Sequence, residues 1–76
     1  MDDRRQRYEQ LAALVWEPVQ RYLRRRCPAD QAEDVLGDVL LVLWRRLDDA
    51  PAGAELPWSY AVARGCLANA RRGEQR

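Results

Sequence analysis

Between Asp30 and Leu47 the chain reads DQAEDVLGDVLLVLWRRL, with apolar side chains at Ala32, Val35, Leu36, Val39, Leu40, Leu43, Trp44 and Leu47. That i, i+3, i+4, i+7 rhythm is the signature of a buried helix face. A helix with so apolar a stripe needs other elements to cover it, and this one requirement sets the kind of fold available. The opposite side carries Asp34, Asp38, Leu41, Val42 and Arg45. Carboxylates mixed with large aliphatics on a solvent-facing stripe are costly for an isolated protein. They suit a surface that meets a basic, partly apolar partner.

Two further helices supply the cover. The first is predicted from about Asp3 to Cys27, where Tyr8, Leu11, Ala12, Val15, Val19, Tyr22 and Leu23 hold one helical phase. The phase continues across Pro18, so the expectation there is a kink and not a break. Arg24, Arg25 and Arg26 place positive charge at the negative end of this helix, before a turn at Cys27-Pro28-Ala29. The second helix is predicted from about Asp30 to Leu47, with Asp30 and Glu33 as a capping-box-like start. Gly37 in its middle implies either a close backbone neighbour or local weakness. Residues 48–56 read as a loop, and Pro57 as the first position of a third helix ending near Arg72. On that helix Trp58, Ala61, Val62, Gly65, Cys66 and Asn69 form a narrow face of mostly small residues, expected to pack closely around one Trp. Gly73 onward is expected to fray. The predicted fold is all-α: a small three-helix bundle whose first helix is long and kinked at Pro18.

Seventy-six residues allow one small domain with a modest core. What is missing narrows the chemistry. There is no His, Lys or Thr, and the only Ser is Ser59. Most acid–base, nucleophilic and metal-ligating constellations are therefore out of reach, so an enzyme is not expected and no cofactor is implied. Cys27 and Cys66 are far apart in sequence with no CxxC, and read as small buried apolar residues in a reducing setting. No segment is long enough to span a membrane, and a cytoplasmic location is expected. All thirteen basic residues are Arg, and the charge is unevenly spread: +3 over residues 1–29, −4 over 30–49 and +2 over 50–76. A basic–acidic–basic layout fits two partners of opposite character, although ordinary solvated helix faces would also produce it.

Two segments then become familiar. AEDVLGDVLLVLW at residues 32–44 and PWSYAVARGCLANARR at residues 57–72 resemble, in order and spacing, the signatures of bacterial sigma factors. The similarity is to the extracytoplasmic-function type, group 4 of the sigma-70 family, and with the first helix it covers nearly the whole chain. It implies domain 2 of such a factor (residues 1–73, with 74–76 as the start of a linker), which docks on core RNA polymerase and recognises and melts the promoter −10 element. By this resemblance the second helix meets the coiled coil of the beta-prime subunit. Asp34 and Asp38 stand at its acidic motif positions, and Leu41 and Arg45 share their outward stripe. The loop from Asp48 to Leu56 would receive a base flipped from the non-template strand. The third helix would read the promoter, with Tyr60, Arg64, Asn69, Arg71 and Arg72 as DNA-binding candidates. Trp58 also matches the motif, but reads first as core. Tyr60 is open between core and stacking, and Arg24 to Arg26 between DNA backbone contact and a plain charged helix end. An anti-sigma protein is a further implied partner.

Three residues depart from the family pattern. Gly37 stands where Gln is usual, Gly65 where Asn is common, and Ser59 where Leu is usual. The loop also lacks aromatic and basic residues. These departures weigh on base reading more than on docking. The alternative is accordingly a helical polymerase- or anti-sigma-binding protein that has lost base-specific promoter reading.

Overall fold

The computed structural model describes residues 3–74. Among them are three α-helices and one short 3-10 turn, with no strand: α1 (Asp3–Arg24), α2 (Ala29–Arg45), the turn at Leu47–Asp49, and α3 (Glu55–Glu74). The bundle measures 42 × 22 × 19 Å. α2 runs antiparallel to both neighbours: Tyr8 of α1 meets Leu40 and Trp44, while Arg46 lies over Trp58 at the start of α3.

The core is built from the stripes that periodicity marks on α1 and α2. Leu11, Val15, Val19 and Leu23 are buried on α1, and Ala32, Val35, Leu36, Val39 and Leu43 on α2, with Leu47 below them. Each fully buried Val or Leu contributes roughly 1.5–3 kcal/mol, so this seam holds the fold together. α1 passes through Pro18 as one continuous helix. The proline ring cannot donate to the Leu14 carbonyl, but burial of Val15, Val19 and Leu23 on either side keeps the helical phase.

Several boundaries differ from the sequence reading. α1 ends at Arg24, not Cys27. α2 starts at Ala29 with Pro28 at the N-cap, and no side chain caps it. Asp30 is inside the first turn, where its carboxylate accepts from the Gln31 N–H at 2.9 Å. The anticipated Asp30–Glu33 box is therefore absent. Helix α2 ends at Arg45, and the chain tightens into the 3-10 turn before the loop.

α3 begins at Glu55, two residues before Pro57. Pro57 falls in the first turn, whose N–H groups have no intrahelical acceptor, so its missing donor is harmless. The entry into α3 is fixed by a turn in which the Ala54 N–H donates to the Pro51 carbonyl at 3.0 Å. Gly53 occupies the third position with φ +82°, a conformation that glycine adopts freely and other residues resist. The far end is helical through Gly73 to Glu74 and does not fray at Gly73.

The largest correction concerns which side of α3 faces inward. The buried residues are Ser59, Val62, Ala63 and Leu67, with Cys66 and Ala70 half-buried beside them. Ala61, Gly65 and Asn69, expected on the packed face, are exposed, and Leu67, which lies outside that expected face, is 3 % exposed. A Cβ added at Gly37 or at Gly65 would meet nothing within 4 Å, so neither glycine marks a close backbone approach.

Candidate functional site

The outer face of α2 keeps the orientation its pattern implies. Asp34, Asp38, Leu41 and Arg45 are all exposed, with Leu41 at 46 % one of the most exposed large apolar residues. None of the three charged groups makes a hydrogen bond or an ion pair among the described residues. Val42, grouped with them by sequence, is half-buried and packs on the core. Asp38, Leu41, Val42 and Arg45 form one wall of a shallow groove, and Cys66, Asn69 and Ala70 of α3 form the other. Burial first, and then the negative charge of Asp38, push the Cys66 thiol above its ordinary pKa. The thiol is thus held neutral, in keeping with a packing role.

The DNA-binding candidates on α3 divide between two flanks. Tyr60, Arg64 and Arg71, at i, i+4 and i+11, share the flank beside α1. The Tyr60 ring is half-buried against Tyr22, with centroids 5.4 Å apart and planes at 46°. Arg71 donates to the Arg26 carbonyl at 2.9 Å, joining the C-terminal ends of α3 and α1. Arg64 is exposed and makes no hydrogen bond or ion pair among the described residues. Asn69 lies on the other flank, in the groove with the α2 face, and accepts a hydrogen bond from Arg72. Trp58 is half-buried against the core, with the Arg46 guanidinium 5.8 Å from its ring centre.

The loop after α2 is held from below. Arg7 donates to the Asp48 carboxylate at 3.3 Å and to the Leu47 carbonyl at 3.5 Å. Arg4 lies 3.7 Å from the same carboxylate, donates to the Trp44 carbonyl and covers the Trp44 ring at 4.7 Å. Two arginines thus meet carbonyls at the negative end of α2 and in the 3-10 turn that follows it. Between this loop and α1 lies a cleft of about 330 Å³ bordered by Arg7, Gln10, Leu14, Ala50, Ala52 and Glu55.

The sigma-70 region 2 family profile matches residues 7–76. The chain belongs to that family. Its members bind RNA polymerase and take part in promoter recognition, and they are not a class of enzymes. No curated protein and no solved structure matches. Among the described residues of this region 2 chain, no helix is long and apolar enough to cross a membrane.

Sequence reasoning named the outer face of α2, the α3 candidates and, as an open case, Arg24 to Arg26, but not the pairing of Tyr22 with Tyr60. Tyr22, read as part of the core stripe, does pack against the core, and its ring also meets Tyr60 at a cleft that Arg21, Arg25 and Arg26 line. The available signal was the run of basic residues around Tyr22, which follows the helix period from Arg21 to Arg25.

Proposed function

We propose that this chain acts as domain 2 of an extracytoplasmic-function sigma factor. It docks through α2 on the beta-prime coiled coil of RNA polymerase, and through the loop and α3 it recognises and melts the −10 element on the non-template strand. The observation that carries this reading is the outer face of α2: unpaired Asp34 and Asp38 flanking an exposed Leu41, with Arg45 beyond. An isolated bundle gains nothing from leaving aliphatic surface among unpaired acids, whereas a basic, partly apolar partner would cover both. Tyr60 and Arg64, with Arg71 beside them, supply an aromatic ring and cations to an unpaired strand. Asn69 and Arg72 continue that surface around the helix. A cytoplasmic location follows from this role.

The test is affinity for the beta-prime coiled coil with Asp34→Arg and Asp38→Arg together. Loss of binding by two orders of magnitude or more is expected, since like charges would then face each other. Unchanged affinity, with the fold intact by circular dichroism, would remove α2 as the docking face.

A second reading has its own support. Gly65 is exposed in open space and offers no side chain to a base, and the loop carries neither aromatic nor basic residues. On that reading the chain keeps the polymerase or anti-sigma contact and has lost base-specific reading. Capture of a single-stranded −10 oligonucleotide by the chain–polymerase complex separates the two. Sequence-selective capture supports promoter reading, and capture that ignores sequence supports the interaction protein. An anti-sigma partner would compete with the coiled coil for the α2 face, which the same double substitution would disclose.

A further inference from the structure

The C-terminal half of α1 and the neighbouring flank of α3 enclose a cleft of about 370 Å³, lined by Pro18, Arg21, Tyr22, Arg25, Arg26 and Tyr60. Among the described residues, no carboxylate lines it. Arg21 and Arg25 are one helical turn apart, and like charges at i, i+4 repel. Only Glu17, at 3.9 Å from Arg21, offsets them, and both of those side chains are well exposed. Arg25 has no side-chain partner among the described residues. Such an arrangement favours an anion between or across the two guanidinium groups.

The aromatic half of the cleft is organised as well. The Arg26 guanidinium lies 3.7 Å above the Tyr22 ring and donates to the Tyr22 carbonyl at 2.9 Å. Arg71 in turn donates to the Arg26 carbonyl. The contact with the Tyr22 ring and the hydrogen bond to its carbonyl tether the guanidinium at the cleft, and a delocalised guanidinium is a surface on which a base can stack. Tyr60 brings a second ring, tilted 46° from Tyr22. Pro18 supplies an apolar wall. Along α3, Arg64 and Arg71 extend the positive charge away from the cleft on the same flank.

We propose that this cleft is a nucleotide subsite, separate from the loop after α2. A base lies against Tyr60 and the Arg26 guanidinium, and Arg21 and Arg25 hold its phosphates. The ligand chemistry is that of an unstacked base with its phosphates, supplied by a displaced single strand or by a free nucleotide. The inference rests on the reading of α3 as a strand-binding helix, and adds that the end of α1 forms half of the site.

The experiment uses the chain in complex with core polymerase and three fluorescent or competing probes: a twelve-nucleotide single strand, the same strand with abasic sites, and ATP. Arg21→Gln and Arg25→Gln are expected to weaken single-strand binding. Each should lower the slope of log affinity against log salt by about 0.7, the value for one lost phosphate contact. Tyr22→Leu and Tyr60→Leu should each reduce binding of the intact strand at least roughly fivefold, and leave the abasic strand much less affected. Strand binding with this pattern assigns the subsite to DNA; ATP binding with the same dependence assigns it to a free nucleotide.

If Arg21→Gln and Arg25→Gln change neither affinity nor slope while Arg64→Gln and Arg72→Gln do, the α1 half of the site is overturned and the α3 reading stands. If the wild-type complex holds none of the probes, both readings fall. Because Arg21 and Arg25 are exposed, their substitution does not threaten folding. Tyr22→Phe, which keeps the ring, should restore wild-type binding.

Discussion

At one end of the bundle, Arg4 and Arg7 of α1 close onto Asp48, the Trp44 and Leu47 carbonyls and the Trp44 ring. At the other end, among the described residues, Arg24 and Arg25 meet no carboxylate, and Arg26 and Arg71 hydrogen-bond only to backbone carbonyls. Asp30, Glu33 and Asp34 stand at that same end, on the first turns of α2, yet no ion pair joins them to the α1 arginines among the described residues. The same residue type thus neutralises protein charge at the first end and leaves positive charge exposed at the second. Net charge close to zero hides this division. It becomes visible only when each guanidinium is followed to its partner.

The comparison is broken most forcefully at the closed end. Trp44→Ala removes the edge-on contact with Tyr8, whose ring centre is 5.2 Å away, and the surface on which Arg4 rests. A loss of about 3 kcal/mol is expected, lowering the melting midpoint by more than about 10 °C. Tyr60→Leu at the open end should cost less than about 1.5 kcal/mol, since an apolar body of similar size remains. Thermal melts of the two variants check the contrast. Equal losses would mean that the open end is as much a packing element as the closed one.

How far the sequence carries this division depends on the helix. The α2 stripe is legible because its core positions are large and its outward positions charged, so one phase alone fits. α3 offers two phases. Trp58, Ala61, Val62, Gly65 and Cys66 suggest one, whereas Ser59, Val62, Ala63 and Leu67 form the face that is buried. A lone hydroxyl at a core position and a run of alanines leave the apolar signal too flat to decide. For the candidate site, the outward direction of Asp34, Asp38, Leu41 and Arg45 could be read from one helix. That Tyr22 meets Tyr60, or that Arg7 meets Asp48, depends on how helices are docked, which local pattern does not contain.

Ser59 also gives the next prediction. Ser59 is 0 % exposed and its Oγ has no hydrogen-bond partner among the described residues. Leaving a buried hydroxyl unpaired costs roughly 1–3 kcal/mol. Ser59→Ala should therefore raise stability by about 1 kcal/mol, measured by urea denaturation, and firm the seam next to Tyr60. Gly37→Ala, at an exposed helical position with free space around it, should add roughly 0.5–1 kcal/mol by the same assay. A loss in either would show that the position is more crowded than its surroundings indicate.

A smaller effect separates the arginines directly. Asp48→Ala frees both Arg4 and Arg7, and exposed ion pairs of this kind are worth roughly 0.2–1 kcal/mol each at low salt. Arg25→Gln removes no pair and relieves repulsion from Arg21, so stability should hold or rise by a few tenths of a kcal/mol. Melts at low and high salt should bring Asp48→Ala and wild type together as screening grows. Any destabilisation by Arg25→Gln would mean that the open end already holds a partner within the chain.

The smallest effect is alkaline and again belongs to the closed end. The Tyr8 hydroxyl donates to the Leu40 carbonyl at 3.3 Å, and burial raises its pKa above the usual 10.0. Cys66, in the groove behind Asp38, is likewise raised above 9.0 by burial and then by that carboxylate. In both cases the folded chain holds its proton more tightly than the unfolded chain. Their contribution is therefore complete below the unfolded values and is lost as pH climbs through the raised folded ones. Stability should be level to about pH 9 and decline above it. Tyr8→Phe gives up a weak hydrogen bond at neutral pH, and should flatten the part of the decline above pH 10. Urea midpoints from pH 8 to 11 for wild type, Tyr8→Phe and Cys66→Ala would divide the slope between the two groups. An unchanged decline in a variant carrying both substitutions would place the alkaline weakness elsewhere.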